Sequence, residues 1–83
     1  MRKNKVIIYV KNTCIFCHHT KKLLIQKDIE FEEIDVLQHS DLFQQIKLQF
    51  HVNTVPQIFI NNLHIGGYDQ LLRITKEGAL DKI

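Results

Sequence analysis

The hydrophobic positions of this chain fall into a short continuous run, then a helical stripe, then a second run. Lys5–Val10 contains a β-branched apolar run that ends in a polar break, which predicts a buried first strand. Ile15–Lys27 is predicted as the first helix, because residues 16, 20, 23, 24 and 27 fall near one stripe that would face a sheet. Ile29–Val36 is predicted as the second strand. This succession favours a βαβ unit with parallel strands.

The second half of the chain predicts a helix followed by an antiparallel hairpin. Ser40–Phe50 carries hydrophobic residues at helical spacing, and residues 39–41 offer a cap at its start. Gln57–Ile60 and Leu63–Ile65 are the predicted strands, and the Asn61-Asn62 pair between them tolerates the positive φ of a two-residue turn.

A last helix is predicted after Gly66-Gly67, which breaks the hairpin strand. Asp69 is predicted to cap this helix, and its apolar residues and tail are Leu71, Leu72, Ile74, Leu80 and Ile83. The resulting order is βαβαββα, an α/β protein with a single domain over residues 1–83.

Composition and charge narrow the class of protein. The hydrophobic fraction of 45% supports one core, and the charged fraction of 24% argues against disorder. A net charge of +2 is too small to indicate nucleic-acid binding, and it mildly favours small anionic partners.

The N-terminal residues predict a solvated tail rather than a targeting segment. Met1–Lys5 has the charge of a signal peptide's first region, but the apolar run that follows meets Lys11 too soon and lacks a small-residue cleavage pattern. No segment is long enough to span a membrane. We therefore expect a cytoplasmic protein, in which closely spaced cysteines are catalytic or metal-binding rather than structural.

Cys14 and Cys17, the two cysteines of the chain, have C-x-x-C spacing at the predicted start of the first helix. Thr13 is a good helix-capping type. Unpaired backbone N–H groups and the positive end of the helix dipole would face a sulfur placed there, and Lys11 adds a nearby cation. These effects favour the thiolate, which is the nucleophilic form.

Three motifs together give the chain its resemblance to a known family. They are Thr13-Cys14-x-x-Cys17-His18, Thr54-Val55-Pro56-Gln57-Ile58-Phe59-Ile60 and His64-Ile65-Gly66-Gly67-x-Asp69. In this order and spacing, they resemble the small bacterial type of dithiol glutaredoxin over nearly the full chain. The resemblance implies a thioredoxin-like fold, with a four-stranded mixed sheet flanked by three helices.

The resemblance also implies a glutathione-dependent thiol–disulfide oxidoreductase. Cys14 would attack the glutathione sulfur of a glutathionylated substrate, and free glutathione would regenerate it. With a protein disulfide, Cys17 would act as the resolving thiol. Two inert helix cysteines are the structural alternative.

The same resemblance implies the glutathione contacts. Pro56 would be cis, so that the backbone of Val55, after Thr54, pairs with the cysteinyl segment like an added strand. An ordinary trans proline is the alternative. The remaining implied contacts are Gly67, Tyr68 and Asp69 for the γ-glutamyl group, Lys11 for the glycyl carboxylate, and Phe16, which packs against the ligand. Asp69 as a helix cap and Lys11 as a solvated side chain are the structural alternatives.

Several residues depart from the family pattern. Ile15 replaces a proline that usually follows the first cysteine, which loosens the turn and restores an N–H near the sulfur. Tyr68 stands where many relatives have a small residue or cysteine, and Gln70 replaces a common second acid. Val52 replaces a common basic residue, for which His51 is a candidate substitute.

Other functions stay open at this point. Zinc binding is disfavoured, because the five histidines do not form a second ligand pair at zinc-finger spacing. A redoxin reduced by a flavoprotein is one alternative. A carrier that bridges a [2Fe–2S] cluster between two subunits through glutathione is another, since Ile15 replaces the proline that disfavours it. Glutathionylated proteins and ribonucleotide reductase both fit as substrates, and without a cluster we expect a monomer.

Overall fold

The computed structural model describes residues 4–82, so the first three residues of the predicted tail Met1–Lys5, and Ile83, lie outside the described residues. Within that range are four strands, β1 (Val6–Val10), β2 (Glu32–Asp35), β3 (Gln57–Ile60) and β4 (Leu63–Gly66). The α-helices are α1 (Ile15–Gln26), α2 (Ser40–Phe50) and α3 (Tyr68–Lys76), and a 3₁₀ turn covers Ala79–Lys82. No helix of this described part is long and apolar enough to cross a membrane.

The four strands form one mixed sheet in the order β2-β1-β3-β4. β1 pairs in parallel with β2, which completes the predicted βαβ unit. β3 runs antiparallel to both β1 and β4. The turn residues Asn61 and Asn62 have φ of 52° and 70°, as a tight hairpin turn requires. The thioredoxin-like fold is therefore confirmed.

Side chains alternate between the two faces of the sheet and build a core on each. Ile8 and Ile58 point to the face covered by α1 and α3, where they meet the fully buried Leu24 and Leu71. On the opposite face a smaller cluster contains Tyr9, Val36, Phe43 and Phe59. The sheet thus holds the N-terminal ends of α1 and α3 on one side, close to the end of β1.

The boundaries and buried faces differ in places from the sequence expectation. β2 is shorter than Ile29–Val36, although the Val36 N–H still bonds to the Val10 carbonyl at 3.0 Å. In α1 the buried residues are Cys17, Thr20 and Leu24, while Phe16 is 52% exposed. Cys17 occupies the core position that the predicted stripe gave to Phe16, since the inward face begins one residue later.

The predicted cap of the last helix is wrong. Gly67 is the N-cap of α3 and Asp69 lies inside the first turn. The start of α2 is capped at His39, whose side chain makes no capping hydrogen bond. Leu80, in the predicted tail, is buried in the larger core cluster.

Candidate active site

The sulfur of Cys14 itself caps α1. The chain turns after β1 through a hydrogen bond of 3.2 Å from the Cys14 N–H to the Lys11 carbonyl. Cys14 then occupies the N-cap position with extended backbone angles, and the Cys17 N–H donates to its Sγ at 3.1 Å. The capping type at Thr13 is therefore not the cap. One of the helix's otherwise unpaired N–H groups points at the sulfur, a position that favours negative charge there.

A loop from the other half of the chain reaches the same sulfur. The Val55–Pro56 peptide bond is cis, as the resemblance implies. The Cys14 Sγ–H donates to the Val55 carbonyl over 3.6 Å. Pro56 is buried, whereas Val55 and Cys14 are partly exposed. Residues far apart in the sequence thus meet around one accessible thiol.

Cys17 lies in very different surroundings. Its side chain is 0% exposed and belongs to the larger core cluster. Burial, and next a side-chain hydrogen bond with Cys14, raise the pKa of the Cys17 thiol to about 12. Both cysteines are free thiols in this structure. Cys17 is therefore a protonated, shielded thiol one helical turn below the accessible one.

A cavity of about 600 Å³ lies beside the start of α1 and the loop that contains Val55 and Pro56. Its walls come from the start of α1, the loop before β3, the end of β4 and the start of α3. All of the predicted ligand contacts line it except Lys11, namely Phe16, Thr54, Val55, Pro56, Gly67, Tyr68 and Asp69. Lys11 is exposed, and its carbonyl serves the turn before Cys14.

Gly66, Gly67 and Gln70 shape the corner of the cavity at α3. Gly66 has a φ of +120°, which favours glycine, and a Cβ there would lie 3.0 Å from the Gln70 side chain. The Gln70 Oε1 accepts a hydrogen bond of 2.8 Å from the Gly67 N–H. Gln70, in sequence a departure from a common acid, thus supplies one half of a capping box, since Gly67 has no side chain to form the other half. Asp69 is left exposed at the helix start.

An aromatic cluster joins α1 to α3 at the rim of the cavity. The Phe16 and Tyr68 rings stack with centroids 6.0 Å apart and an interplanar angle of 26°. The His19 ring lies 5.7 Å from Tyr68 and 6.0 Å from Phe16. Tyr68 therefore reshapes the rim by extending its apolar surface, where a small residue would leave it open.

Sequence reasoning assigned no role to two polar residues that line the cavity, Gln57 and His64. Gln57 is only 3% exposed although it is polar and begins a strand. The sequence feature that could have indicated this burial is a single amide side chain directly before an apolar strand. Burial lowers the pKa of His64, which keeps the ring neutral at pH 7. Across the described residues, no group of three or more His, Cys, Asp or Glu side chains is arranged to hold a metal ion.

In comparisons with known proteins, the family model and the relatives described here are all glutaredoxins. The family model described as glutaredoxin matches residues 6–65. Glutaredoxin 1 of Rickettsia prowazekii is 45% identical over 83 residues, covering 94% of this chain and 84% of the relative. Glutaredoxin 3 of Escherichia coli is 38% identical over 78 residues, covering 94% of both.

A solved structure of a glutaredoxin has a similar fold. The buckwheat glutaredoxin–glutathione complex superposes with a TM-score of 0.85 at 33% identity. The match covers 95% of this chain and 74% of the buckwheat chain.

Proposed function

This chain belongs to the glutaredoxin family of thiol–disulfide oxidoreductases, and from that membership we propose that it reduces disulfides with glutathione as the electron donor. The observation that carries the proposal is the accessible Cys14 sulfur, which accepts the Cys17 N–H at a helix start and touches the loop that lines the cavity. Its substrates are glutathionylated proteins and protein disulfides, with ribonucleotide reductase as one candidate.

The proposed reaction begins at Cys14. Its thiolate attacks the glutathione sulfur of a mixed disulfide, the old S–S bond breaks, and the substrate leaves as a thiolate that takes up a proton. A second glutathione thiolate then attacks the Cys14–glutathione bond, which releases glutathione disulfide and restores the Cys14 thiolate. The N–H of Cys17 stabilises negative charge on the sulfur at both stages.

The Val55 carbonyl changes partner as the reaction starts. It accepts the Cys14 S–H in the thiol form. A thiolate has no proton to donate, so ionisation releases this carbonyl for the amide of the cysteinyl segment, which would pair with Val55 like an added strand. Thr54 and Pro56, on either side of Val55, line the same cavity wall.

The proposed γ-glutamyl contacts lie at the start of α3. The Gly67 N–H is already bonded to Gln70, so the next N–H groups of the helix, those of Tyr68 and Asp69, are the donors for the ligand carboxylate. The exposed Asp69 carboxylate would pair with the ligand ammonium. Lys11 does not line the cavity, so its role requires the side chain to reach the glycyl carboxylate from the rim.

With protein disulfides, Cys17 would attack the Cys14–substrate bond, which releases the substrate as a thiolate that takes up a proton and leaves a Cys14–Cys17 disulfide for two glutathiones to reduce. In the free protein, burial and a raised pKa keep the Cys17 thiol protonated at neutral pH, so it must lose its proton before this attack. We expect cytoplasmic monomers to carry out both reactions.

Turnover of a glutathione mixed disulfide, coupled to glutathione reductase and NADPH, tests the proposal. We expect activity in wild type and in Cys17→Ser, and none in Cys14→Ser. An inactive wild type contradicts the proposal. Turnover with a flavoprotein thioredoxin reductase, and not with glutathione, would instead support the redoxin alternative.

Ile15 favours a second candidate function, the [2Fe–2S] carrier. Its side chain is 60% exposed directly after Cys14, where the family's proline is absent. In this arrangement each of two subunits would contribute only its Cys14 thiolate, with glutathione supplying the other ligands. Visible absorption and a dimer after anaerobic reconstitution with glutathione would support it, whereas a colourless monomer would contradict it.

A further inference from the structure

We propose that His64 is a positioning residue for the glutathione-binding loop, and that it acts through the buried amide of Gln57. This inference rests on the proposed glutathione-dependent function and identifies what holds Thr54 and Val55 in place. His64 is on β4 and takes no part in the sulfur chemistry. It reaches the loop through a chain of hydrogen bonds beneath the cavity.

The Gln57 amide is fixed from both ends. Its Nε2 donates to the Thr54 carbonyl at 2.9 Å and lies 3.4 Å from the Thr54 hydroxyl. Its Oε1 lies 2.7 Å from the Nε2 of His64. Because the amide nitrogen is used by Thr54, the oxygen must accept, so His64 donates from Nε2. This assignment fixes the neutral tautomer of His64.

Because the Gln57 amide is buried, the loss of one of its hydrogen bonds is costly. Gln57 is 3% exposed, so water cannot readily replace a lost partner of its amide oxygen. The His64 ring is itself held between aromatic neighbours, 4.7 Å from the Phe50 centroid and 5.1 Å from that of Phe59. The donor therefore has a fixed position, and the amide takes its orientation from it.

The chain ends at the reacting sulfur. Gln57 fixes the Thr54 carbonyl, and the next residue, Val55, accepts the Cys14 S–H through its own carbonyl. His64, Gln57, Thr54 and Val55 all line the cavity. Loss of the His64 donor would leave the amide free to turn, and the carbonyls of this loop would lose their common orientation. Substrate binding should weaken, while the intrinsic reactivity of Cys14 should remain.

The test compares variants in the glutathione mixed-disulfide assay. His64→Phe keeps an aromatic ring against Phe50 and Phe59 but removes the Nε2 donor. We expect the KM for the mixed disulfide to rise about five- to tenfold, because a fold-change of this size corresponds to the loss of one buried hydrogen bond. We expect kcat, and the rate of Cys14 alkylation by iodoacetamide, to stay within about twofold of wild type. His64→Gln, which offers an amide donor, should recover much of the wild-type KM.

Two further variants keep the test decisive. His39→Phe, a change at an exposed residue at the start of α2, is the matched control and should behave as wild type. Gln57→Met should raise the KM as His64→Phe does, and the double variant should be no worse than Gln57→Met alone. If His64→Phe does not fold, a wild-type KM in folded Gln57→Met overturns the positioning role instead.

The outcomes separate the two proposals. An active wild type whose folded His64→Phe variant keeps the wild-type KM overturns the positioning role alone, as do additive effects in the double variant. An inactive wild type overturns the proposed function and the positioning role with it.

Discussion

The two cysteine sulfurs, one helical turn apart, have contrasting surroundings. Cys14 is partly exposed and accepts a helix N–H, whereas Cys17 is 0% exposed in the core. A thiol that is shielded and has a raised pKa reacts slowly, because little thiolate forms and reagents cannot reach it. The surroundings of the two thiols, more than their C-x-x-C spacing, make Cys14 the reactive thiol and Cys17 the shielded one.

Alkylation should therefore distinguish the two thiols. At neutral pH we expect iodoacetamide to modify Cys14 and leave Cys17 intact, as measured by peptide mass after digestion. Unfolding in urea, which exposes both thiols, is the control and should allow double labelling. Equal labelling of both cysteines in the folded protein would contradict this account.

The same pKa predicts a loss of stability at alkaline pH. Wild-type Cys17 has a folded-state pKa of about 12, above its ordinary value of 9.0, and burial, the largest cause of that rise, remains in Cys14→Ser, where Cys17 is the one thiol left to titrate. The folded state thus keeps a proton that the unfolded chain releases, so the stabilising contribution is complete below about pH 9 and declines as the pH rises toward 12. Urea unfolding of Cys14→Ser and of the double variant Cys14→Ser/Cys17→Ser, compared across this range, measures the difference. Parallel pH profiles would argue against a buried, protonated Cys17.

At the scale of elements, the start of α3 connects stability to the binding site. Gly67 is the N-cap, and its N–H is satisfied by the Gln70 side chain. The same first turn carries Tyr68 and Asp69 into the cavity. Whatever loosens this turn should affect both the helix and the ligand contacts.

Gln70→Ala should destabilise the protein by about 0.5–1 kcal/mol, because it removes one capping hydrogen bond. Gln70→Glu keeps an acceptor and places a negative charge at the helix N-terminus, so it should retain most of the stability. Chemical denaturation of the two variants gives the comparison. Unchanged stability in Gln70→Ala would show that this capping hydrogen bond contributes nothing.

The elements themselves were largely predictable from sequence, whereas their ends were not. The β-branched run of β1 and the Asn61-Asn62 turn carry local signals, and the structure follows them. The cap of α3 falls on Gly67 rather than Asp69, because backbone geometry after Gly66 sets the first helical turn. β2 is shorter than predicted because only Glu32–Asp35 of that segment pairs with β1.

The candidate site was predictable only as far as its motifs reach. The motifs indicated the cysteines, the cis proline and the α3 corner. The Gln57–His64 contact escaped prediction, because it joins side chains of two strands that pair with a register shift. Such contacts depend on packing in three dimensions, and composition or spacing does not reveal them.

At the scale of the whole molecule, one sheet holds both halves of the site. The core above it is formed by fully buried residues of α1 and α3, among them Leu24 and Leu71. Because these helices carry Cys14 and the α3 corner at their starts, packing against the shared sheet sets the distance between them. The fold thereby fixes the site without a covalent link in the reduced state.

Leu71→Ala should lower the free energy of unfolding by about 2–5 kcal/mol, because it leaves a cavity under α3. Leu48→Ala is the matched control, since this helical leucine of α2 is 69% exposed. We expect the control to change stability by less than about 0.5 kcal/mol. Urea denaturation of both variants checks the difference, and similar losses would contradict the assigned core.

The central claim is that Cys14 accepts glutathione, and trapping the intermediate tests it most directly. Cys17→Ser and Cys14→Ser are each incubated with glutathione disulfide, and the adduct is located by mass spectrometry. We expect one glutathione on Cys14 in the first variant, formed as the other glutathione leaves as a thiolate, and no adduct in the second. An adduct on Cys17, or none on either variant, would contradict the account.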